Sequence, residues 1–151
     1  MADWRGHAWI ALPLRLLLGG VFLAACWYKI AHPDEFALSI ATYGIVPLWL
    51  INIFAVVLPW VELATGLLIV LGLRTRAAAL LVSAMLLMFS VALVIALAKG
   101  LDTGCGCFAS AQAGETITPL TVVRDAALLL PALYVLAFDR RPLGLDRIWS
   151  K

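Results

Sequence analysis

Two cysteines, whose thiols could be reactive, lie two residues apart in a glycine-rich stretch between long apolar segments. The run reads Gly104-Cys105-Gly106-Cys107-Phe108. A disulfide between these cysteines would close a small, strained ring, and strained, exposed disulfides are the ones that exchange readily. Such a bond would stabilise the fold little, because the loop it closes is minimal. The spacing therefore favours thiol–disulfide exchange, the reaction of a thiol–disulfide oxidoreductase.

Other interpretations of the cysteines remain open. The pair could form a structural disulfide, stay as two inert thiols, or bind Cu(I), which prefers soft thiolate ligands. No histidine or methionine pattern near Cys105 and Cys107 completes a copper site, and a C-x-C spacing is not usual for zinc, so we predict no metal. The third cysteine, Cys26, lies in an apolar segment, where a small core residue is the simpler interpretation and a third redox thiol the alternative.

Composition indicates a membrane protein. Of the 151 residues, 64% are hydrophobic and only 13% are charged, with a mean hydropathy of +1.03. A soluble domain of this size needs more charge to cover its surface, so we expect much of the apolar surface to contact membrane lipid. The net charge of +2 gives no reason to expect a nucleic-acid partner. We expect residues 1–151 to form a single membrane domain.

The hydropathy pattern predicts an all-α integral membrane protein, an antiparallel bundle of four transmembrane helices. A short interfacial helix is expected in the first outer loop, because Pro33, Asp34 and Glu35 suit a helix start and Gly44 suits a helix end. The four predicted spans cover about residues 8–28, 48–72, 77–98 and 120–138.

Two charged residues fall inside predicted spans. Arg15 lies roughly 12 Å from the near end of the first span and Glu62 roughly 15 Å from the corresponding end of the second, at 1.5 Å per residue. Charges in hydrocarbon need partners, and the depths match, so we predict an Arg15–Glu62 ion pair. The pair could fix the helix register, carry protons or line a cofactor pocket. Lys29 is placed just outside the first span, in the first loop.

Arg124 and Asp125 lie inside the fourth span, roughly 6–9 Å below its start. This depth predicts that they lie beneath the loop that carries Cys105 and Cys107. A guanidinium there would favour the thiolate, which is the attacking species in disulfide exchange. The alternative is a local salt bridge that anchors the loop.

The distribution of cations predicts the orientation. Seven lysines and arginines fall in the amino terminus, the second turn and the carboxyl-terminal tail, whereas the two longer loops hold Lys29 and Lys99. The positive-inside rule then places both termini in the cytoplasm and the loop with Cys105 and Cys107 outside, where disulfides persist.

A set of residues spread along nearly the whole chain resembles the DoxX-like superfamily, and within it the methylamine-utilisation MauE branch. The cysteine run is the most specific of the matching pieces. The set comprises Arg15, Lys29, Pro33, Phe36, Tyr43, Pro47, Pro59, Glu62, Gly72, the run from Gly104 to Phe108, and Arg124-Asp125.

The resemblance implies a four-helix protein of the bacterial inner membrane with a redox role and a periplasmic thioredoxin-like partner. On this basis we expect disulfide exchange through Cys105 and Cys107, with a quinone as one candidate electron carrier. A membrane anchor or assembly factor for a soluble periplasmic oxidoreductase is the alternative, in which the disulfide only shapes a docking loop. Copper handling is a third interpretation.

Overall fold

Five helices make up the part of the chain that the structure, a computed structural model, describes: residues 7–100 and 118–138, with side chains from Trp9 onward. No strand occurs within these ranges. The helices are α1 (His7–Ala31), α2 (Pro33–Tyr43), α3 (Leu48–Leu71), α4 (Thr75–Ala98) and α5 (Pro119–Phe138).

Four of these helices are long and apolar enough to cross a membrane. Their spanning segments have mean hydropathies of 1.9, 2.2, 2.8 and 1.7 in chain order, and each has at least 20 residues. At about 1.5 Å per residue, 20 residues cover the roughly 30 Å of a bilayer core. Large apolar side chains such as Leu80, Trp60 and Leu130 cover the outside of the bundle. The predicted fold class is confirmed, whereas the single domain over residues 1–151 stays a prediction.

The first span is longer than predicted, and this changes the position of Lys29. Helix α1 continues past Tyr28 to Ala31, so Lys29 lies within the helix rather than in a loop. Its side chain is buried. The predicted boundary at Tyr28 is wrong, because a lysine with a buried partner can remain inside a span.

Helix α2 follows after a single non-helical residue, His32. The backbone hydrogen bonds continue through this junction, from His32 N to Tyr28 O at 3.0 Å and from Phe36 N to His32 O at 3.2 Å. Pro33 occupies the first turn of α2, where its missing N–H is tolerated. The chain therefore leaves helical geometry at His32 and continues from Pro33 as a second, short helix, as predicted.

The end of α2 lies beside the end of α4. Gly44 terminates α2 in the left-handed conformation with φ of 62°, which glycine adopts without strain. The ammonium of Lys99, which caps α4, donates a hydrogen bond to the carbonyl of Tyr43 at 3.1 Å. The first and third connections of the bundle thus meet at one end.

The four long helices pack in the cyclic order α1, α3, α4, α5, and each contacts the next. Helices α1 and α3 approach each other closely at Gly19 and Gly66. A Cβ atom at Gly19 would collide with Val70 Cγ2 and would lie 3.0 Å from the carbonyl oxygen of Gly66. Small residues permit this close packing, as in other membrane helix pairs. The apolar core around it comprises Leu18, Phe22, Ile69, Ala78, Ala79, Val82, Met85, Leu86, Ala132 and Val135.

Candidate functional site

A buried salt bridge between α1 and α3 is the centre of the candidate site. Lys29 Nζ donates a hydrogen bond to Glu62 Oε1 at 2.6 Å. The two side chains are 3% and 2% exposed. Pairing offsets part of the cost of placing these charges in an apolar environment, and loss of one partner leaves the other uncompensated.

The salt bridge lies deep in the bundle. Glu62 follows the first residue of α3, Leu48, by 14 positions and precedes the last, Leu71, by nine. At 1.5 Å per residue these separations correspond to about 21 Å and 13 Å along the helix. Glu62 is therefore near the middle of α3, whereas Lys29 reaches it from the last turn of α1.

Two aromatic rings enclose the ammonium group. Lys29 Nζ lies 4.9 Å from the centroid of Phe36 on α2 and 4.8 Å from that of Phe89 on α4. Both distances suit cation–π attraction, which strengthens when the cation is removed from water. Four helices are thus involved in holding one charge: α1 carries it, and α2, α3 and α4 surround it.

A cavity of about 20 Å³ adjoins the salt bridge and brings in α5. Asp125, whose side chain is 4% exposed, reaches its wall. Among the described residues, Glu62 Oε2 has no hydrogen-bond partner, so the second oxygen of this carboxylate remains unsatisfied. The cavity wall comprises Val21, Phe22, Ala25, Lys29, Glu62, Leu86, Phe89 and Asp125.

The predicted Arg15–Glu62 pair is wrong. Among the described residues the ion-pair partner of Glu62 is Lys29, while Arg15 donates from Nε and Nη2 to the carbonyl of Ile69, at 3.1 and 3.0 Å. Ile69 lies in the last turn of α3, where carbonyl groups lack intrahelical partners and can accept other donors. Counting residues along a helix gives the depth of a charge but not the side of the helix on which it lies.

Arg124 and Asp125 point in different directions from the second turn of α5. The Arg124 side chain is 38% exposed, whereas Asp125 is buried against the cavity. Arg124 Nε lies 3.9 Å from Asp125 Oδ1, which is within range of charge attraction but too long for a hydrogen bond. The predicted effect of Arg124 on the thiols stays a prediction.

Of the three cysteines, Cys26 alone lies among the residues that the structure describes. Cys105 and Cys107 lie outside the described residues, within 101–117. Cys26 is buried one turn before Lys29, and its Sγ donates to the carbonyl of Leu23 at 3.2 Å. This packing supports the interpretation of Cys26 as a small core residue. Within residues 7–100 and 118–138, no three His, Cys, Asp or Glu side chains are grouped to hold a metal ion.

Sequence reasoning missed two members of the site and misplaced a third. The rings of Phe36 and Phe89 were not expected beside the charge, and Lys29 was placed outside the span. One signal was available: Lys29 and Glu62 have opposite charges and lie on two consecutive long helices, α1 and α3. The position of α2, which brings Phe36 over Lys29, could not be inferred from periodicity.

Comparison with known proteins assigns the chain to a family. A family model described as methylamine utilisation protein MauE matches residues 7–138. The chain is 31% identical to the methylamine utilization protein MauE of Paracoccus denitrificans over 136 residues, covering 89% of this chain and 73% of the relative. It is 32% identical to the protein of the same name from Methylophilus methylotrophus over 139 residues, 91% of this chain and 73% of the relative. No solved structure matches the chain significantly.

The match extends from the first described residue to the last, so it includes all four spans and every residue of the buried site. The wider DoxX-like grouping stays a prediction. The chain belongs to the MauE family of membrane proteins.

Proposed function

We propose that this protein is a membrane component of thiol–disulfide exchange, in which Cys105 and Cys107 react with a thioredoxin-like protein outside the membrane. The observation that carries the proposal is the Cys-Gly-Cys sequence in the connection between α4 and α5. Flanking glycines let the backbone bend and leave the sulfur atoms accessible to another protein.

The arrangement of the connections supports a docking surface at this end of the bundle. The connection that holds the cysteines leaves α4 after Lys99 and enters α5 at Pro119. Lys99 also binds the carbonyl of Tyr43 at the end of α2. The first and third connections therefore lie at the same end of the bundle. The positive-inside rule predicts that this end is at the outer face of the membrane.

The exchange itself requires only the two thiols and the partner. The thiolate of one cysteine attacks the partner's disulfide and forms a mixed disulfide, and one partner sulfur leaves as a thiolate. The second cysteine then attacks the mixed disulfide, so Cys105 and Cys107 become oxidised and the partner is released as a dithiol. Two electrons pass to the partner, and the reverse sequence returns them.

The names of the relatives suggest the physiological setting. Both are called methylamine utilization proteins. We propose that this chain likewise serves methylamine utilisation, through the disulfides of an exported protein.

A non-catalytic anchor for a soluble oxidoreductase is the second candidate. The cavity beside Lys29 and Glu62, at about 20 Å³, is far smaller than a quinone ring, so a quinone would have to bind elsewhere.

A trapping experiment distinguishes the two. Cys105→Ser and Cys107→Ser variants are isolated from cells after rapid thiol blocking, with Cys26→Ser as the matched control. We expect one of the two loop variants to accumulate a reducible mixed disulfide with a thioredoxin-like protein, because the resolving thiol is missing. An anchor instead predicts no mixed disulfide and retained partner binding when both loop cysteines are replaced.

A further inference from the structure

The ammonium group of Lys29 is surrounded by other helices as a bound ligand would be. We propose that Glu62, Phe36 and Phe89 form a binding site for a primary alkylammonium ion, and that the side chain of Lys29 is the resident ligand of this site. The three residues belong to α3, α2 and α4, and Lys29 reaches them from α1. The proposal does not depend on the thiol–disulfide function.

The contacts of the ammonium group are those of a recognition site for an organic cation. Glu62 Oε1 accepts a hydrogen bond from Lys29 Nζ at 2.6 Å, and the ring centroids of Phe36 and Phe89 lie 4.9 and 4.8 Å from Nζ. The carboxylate supplies the opposite charge, and both rings lie within the range of cation–π attraction. Aromatic faces surround organic ammonium ions in the same way in proteins that bind them as ligands.

Burial and an apolar wall favour an organic cation over an inorganic one. The side chains of Lys29 and Glu62 are 3% and 2% exposed. A Ca²⁺ or Mg²⁺ ion requires about six or more oxygen ligands, which two carboxyl groups on the wall cannot supply. An alkylammonium ion needs fewer polar partners, because its methylene groups pack against apolar side chains. The wall offers Val21, Phe22, Ala25 and Leu86 for this packing.

The charges around the site require one monovalent cation at this position. Lys29 pairs with Glu62, and Arg124 lies within ion-pair distance of Asp125, at 3.9 Å. The two carboxylates are thus balanced by two cations. Removal of the Lys29 ammonium leaves the Glu62 carboxylate buried without its cation, and a free alkylammonium ion in the same place restores the balance.

The length of the Lys29 side chain specifies the free ligand. The atoms that Lys29→Ala removes are Cγ, Cδ, Cε and Nζ, which correspond to n-propylammonium. The space that they leave adjoins the cavity of about 20 Å³, because Lys29 is part of the cavity wall. Alkylamines cross apolar layers as the neutral base, so the burial of the site does not exclude them.

Rescue of Lys29→Ala by n-propylammonium chloride tests the proposal in the full-length protein. Thermal unfolding is followed in detergent at concentrations up to about 100 mM, since a ligand of so few atoms binds weakly. We expect the melting temperature to rise with concentration. At about ten times the dissociation constant, the folding equilibrium constant should rise about elevenfold.

A series of related compounds tests the fit to the site. Methylammonium and n-pentylammonium should stabilise Lys29→Ala less than n-propylammonium does, because the first leaves empty space and the second is too long. Potassium chloride, which lacks the alkyl group, and n-propanol, which lacks the charge, should have no effect.

Matched variants attribute the rescue to the proposed site. The parent protein should not respond to n-propylammonium, because Lys29 occupies the site. Lys29→Ala combined with Glu62→Gln should not respond either, because the carboxylate is absent. Phe36→Leu added to Lys29→Ala should weaken the binding of n-propylammonium several-fold, since one aromatic face is lost.

Equal responses of Lys29→Ala to n-propylammonium and to n-propanol would overturn the proposal, as would equal responses of Lys29→Ala and the parent protein to n-propylammonium. Should Lys29→Ala fail to fold alone, the yield of folded protein purified with n-propylammonium is compared with the yield obtained with n-propanol. A higher yield with n-propylammonium supports the site, and equal yields would overturn it.

Discussion

Lys29 and Glu62 form a 2.6 Å salt bridge across 33 residues of sequence. The contact connects the last turn of α1 to the middle of α3. It sets the relative register of the two helices, because a shift by one residue would separate the two charges at a depth where neither can reach water.

The first prediction distinguishes the Lys29–Glu62 pair from the Arg15–Glu62 pair, which the depths of the residues along their helices suggested. Removal of one member, as in Lys29→Met or Glu62→Gln, should destabilise the protein by about 3–5 kcal/mol, because the partner is left buried and unpaired. The double variant should lose clearly less than the sum of the single losses. In contrast, Arg15→Leu and Glu62→Gln should add within about 0.5 kcal/mol, as independent sites do.

Unfolding in detergent, measured on all single and double variants, gives both coupling energies. Lys99→Met is a matched control, since Lys99 is exposed and its one described bond is to a backbone carbonyl. Strong coupling between Arg15 and Glu62, with none between Lys29 and Glu62, would contradict the structure.

The second prediction concerns the close contact between α1 and α3. Gly19→Ala should destabilise by about 1–3 kcal/mol, because the added methyl group meets Val70 and the backbone of Gly66. Gly20→Ala is the control at the adjacent position, where a Cβ would meet nothing within 4 Å. It should be neutral or slightly stabilising, because alanine favours the helix. Equal melting temperatures for the two variants would mean that the helices are not this close.

The sequence was sufficient to predict the four long helices and the short helix α2. Long apolar runs have few alternatives to membrane helices, and Pro33 and Gly44 mark the limits of α2 through backbone geometry that is local. The partner of Glu62 could not be predicted in the same way. Both Arg15 and Lys29 are cations on α1, and the choice between them depends on helix rotation and on where α1 ends, which are set by packing.

The third prediction is the membrane orientation. After reduction, Cys105 and Cys107 should react with a membrane-impermeant thiol reagent applied from outside, since the cations concentrate at the other end of the bundle. The experiment uses a Cys26→Ser background to remove the third thiol. Labelling only after the inner face is opened would reverse the orientation and remove the loop from the periplasm.

The fourth prediction concerns Arg124. If its guanidinium favours the thiolate form in the loop, Arg124→Leu should slow alkylation of Cys105 or Cys107 near neutral pH and have less effect at high pH. Arg76→Leu is the control, because it also removes one arginine charge. Arg76 is exposed in the first turn of α4, and the connection that holds the cysteines follows the other end of this helix. Identical pH profiles for parent and Arg124→Leu would leave Arg124 a packing or anchoring residue.

The central claim is that Cys105 and Cys107 form a reactive redox pair, and mass spectrometry of the peptide containing both cysteines tests it most directly. The purified protein is equilibrated with a thioredoxin-like protein over a range of dithiol-to-disulfide ratios and then quenched with acid. The account predicts an internal Cys105–Cys107 disulfide that forms and is reduced within the range set by the partner, because the small ring is strained. A pair that never oxidises, or a disulfide that resists mild dithiols, would contradict it.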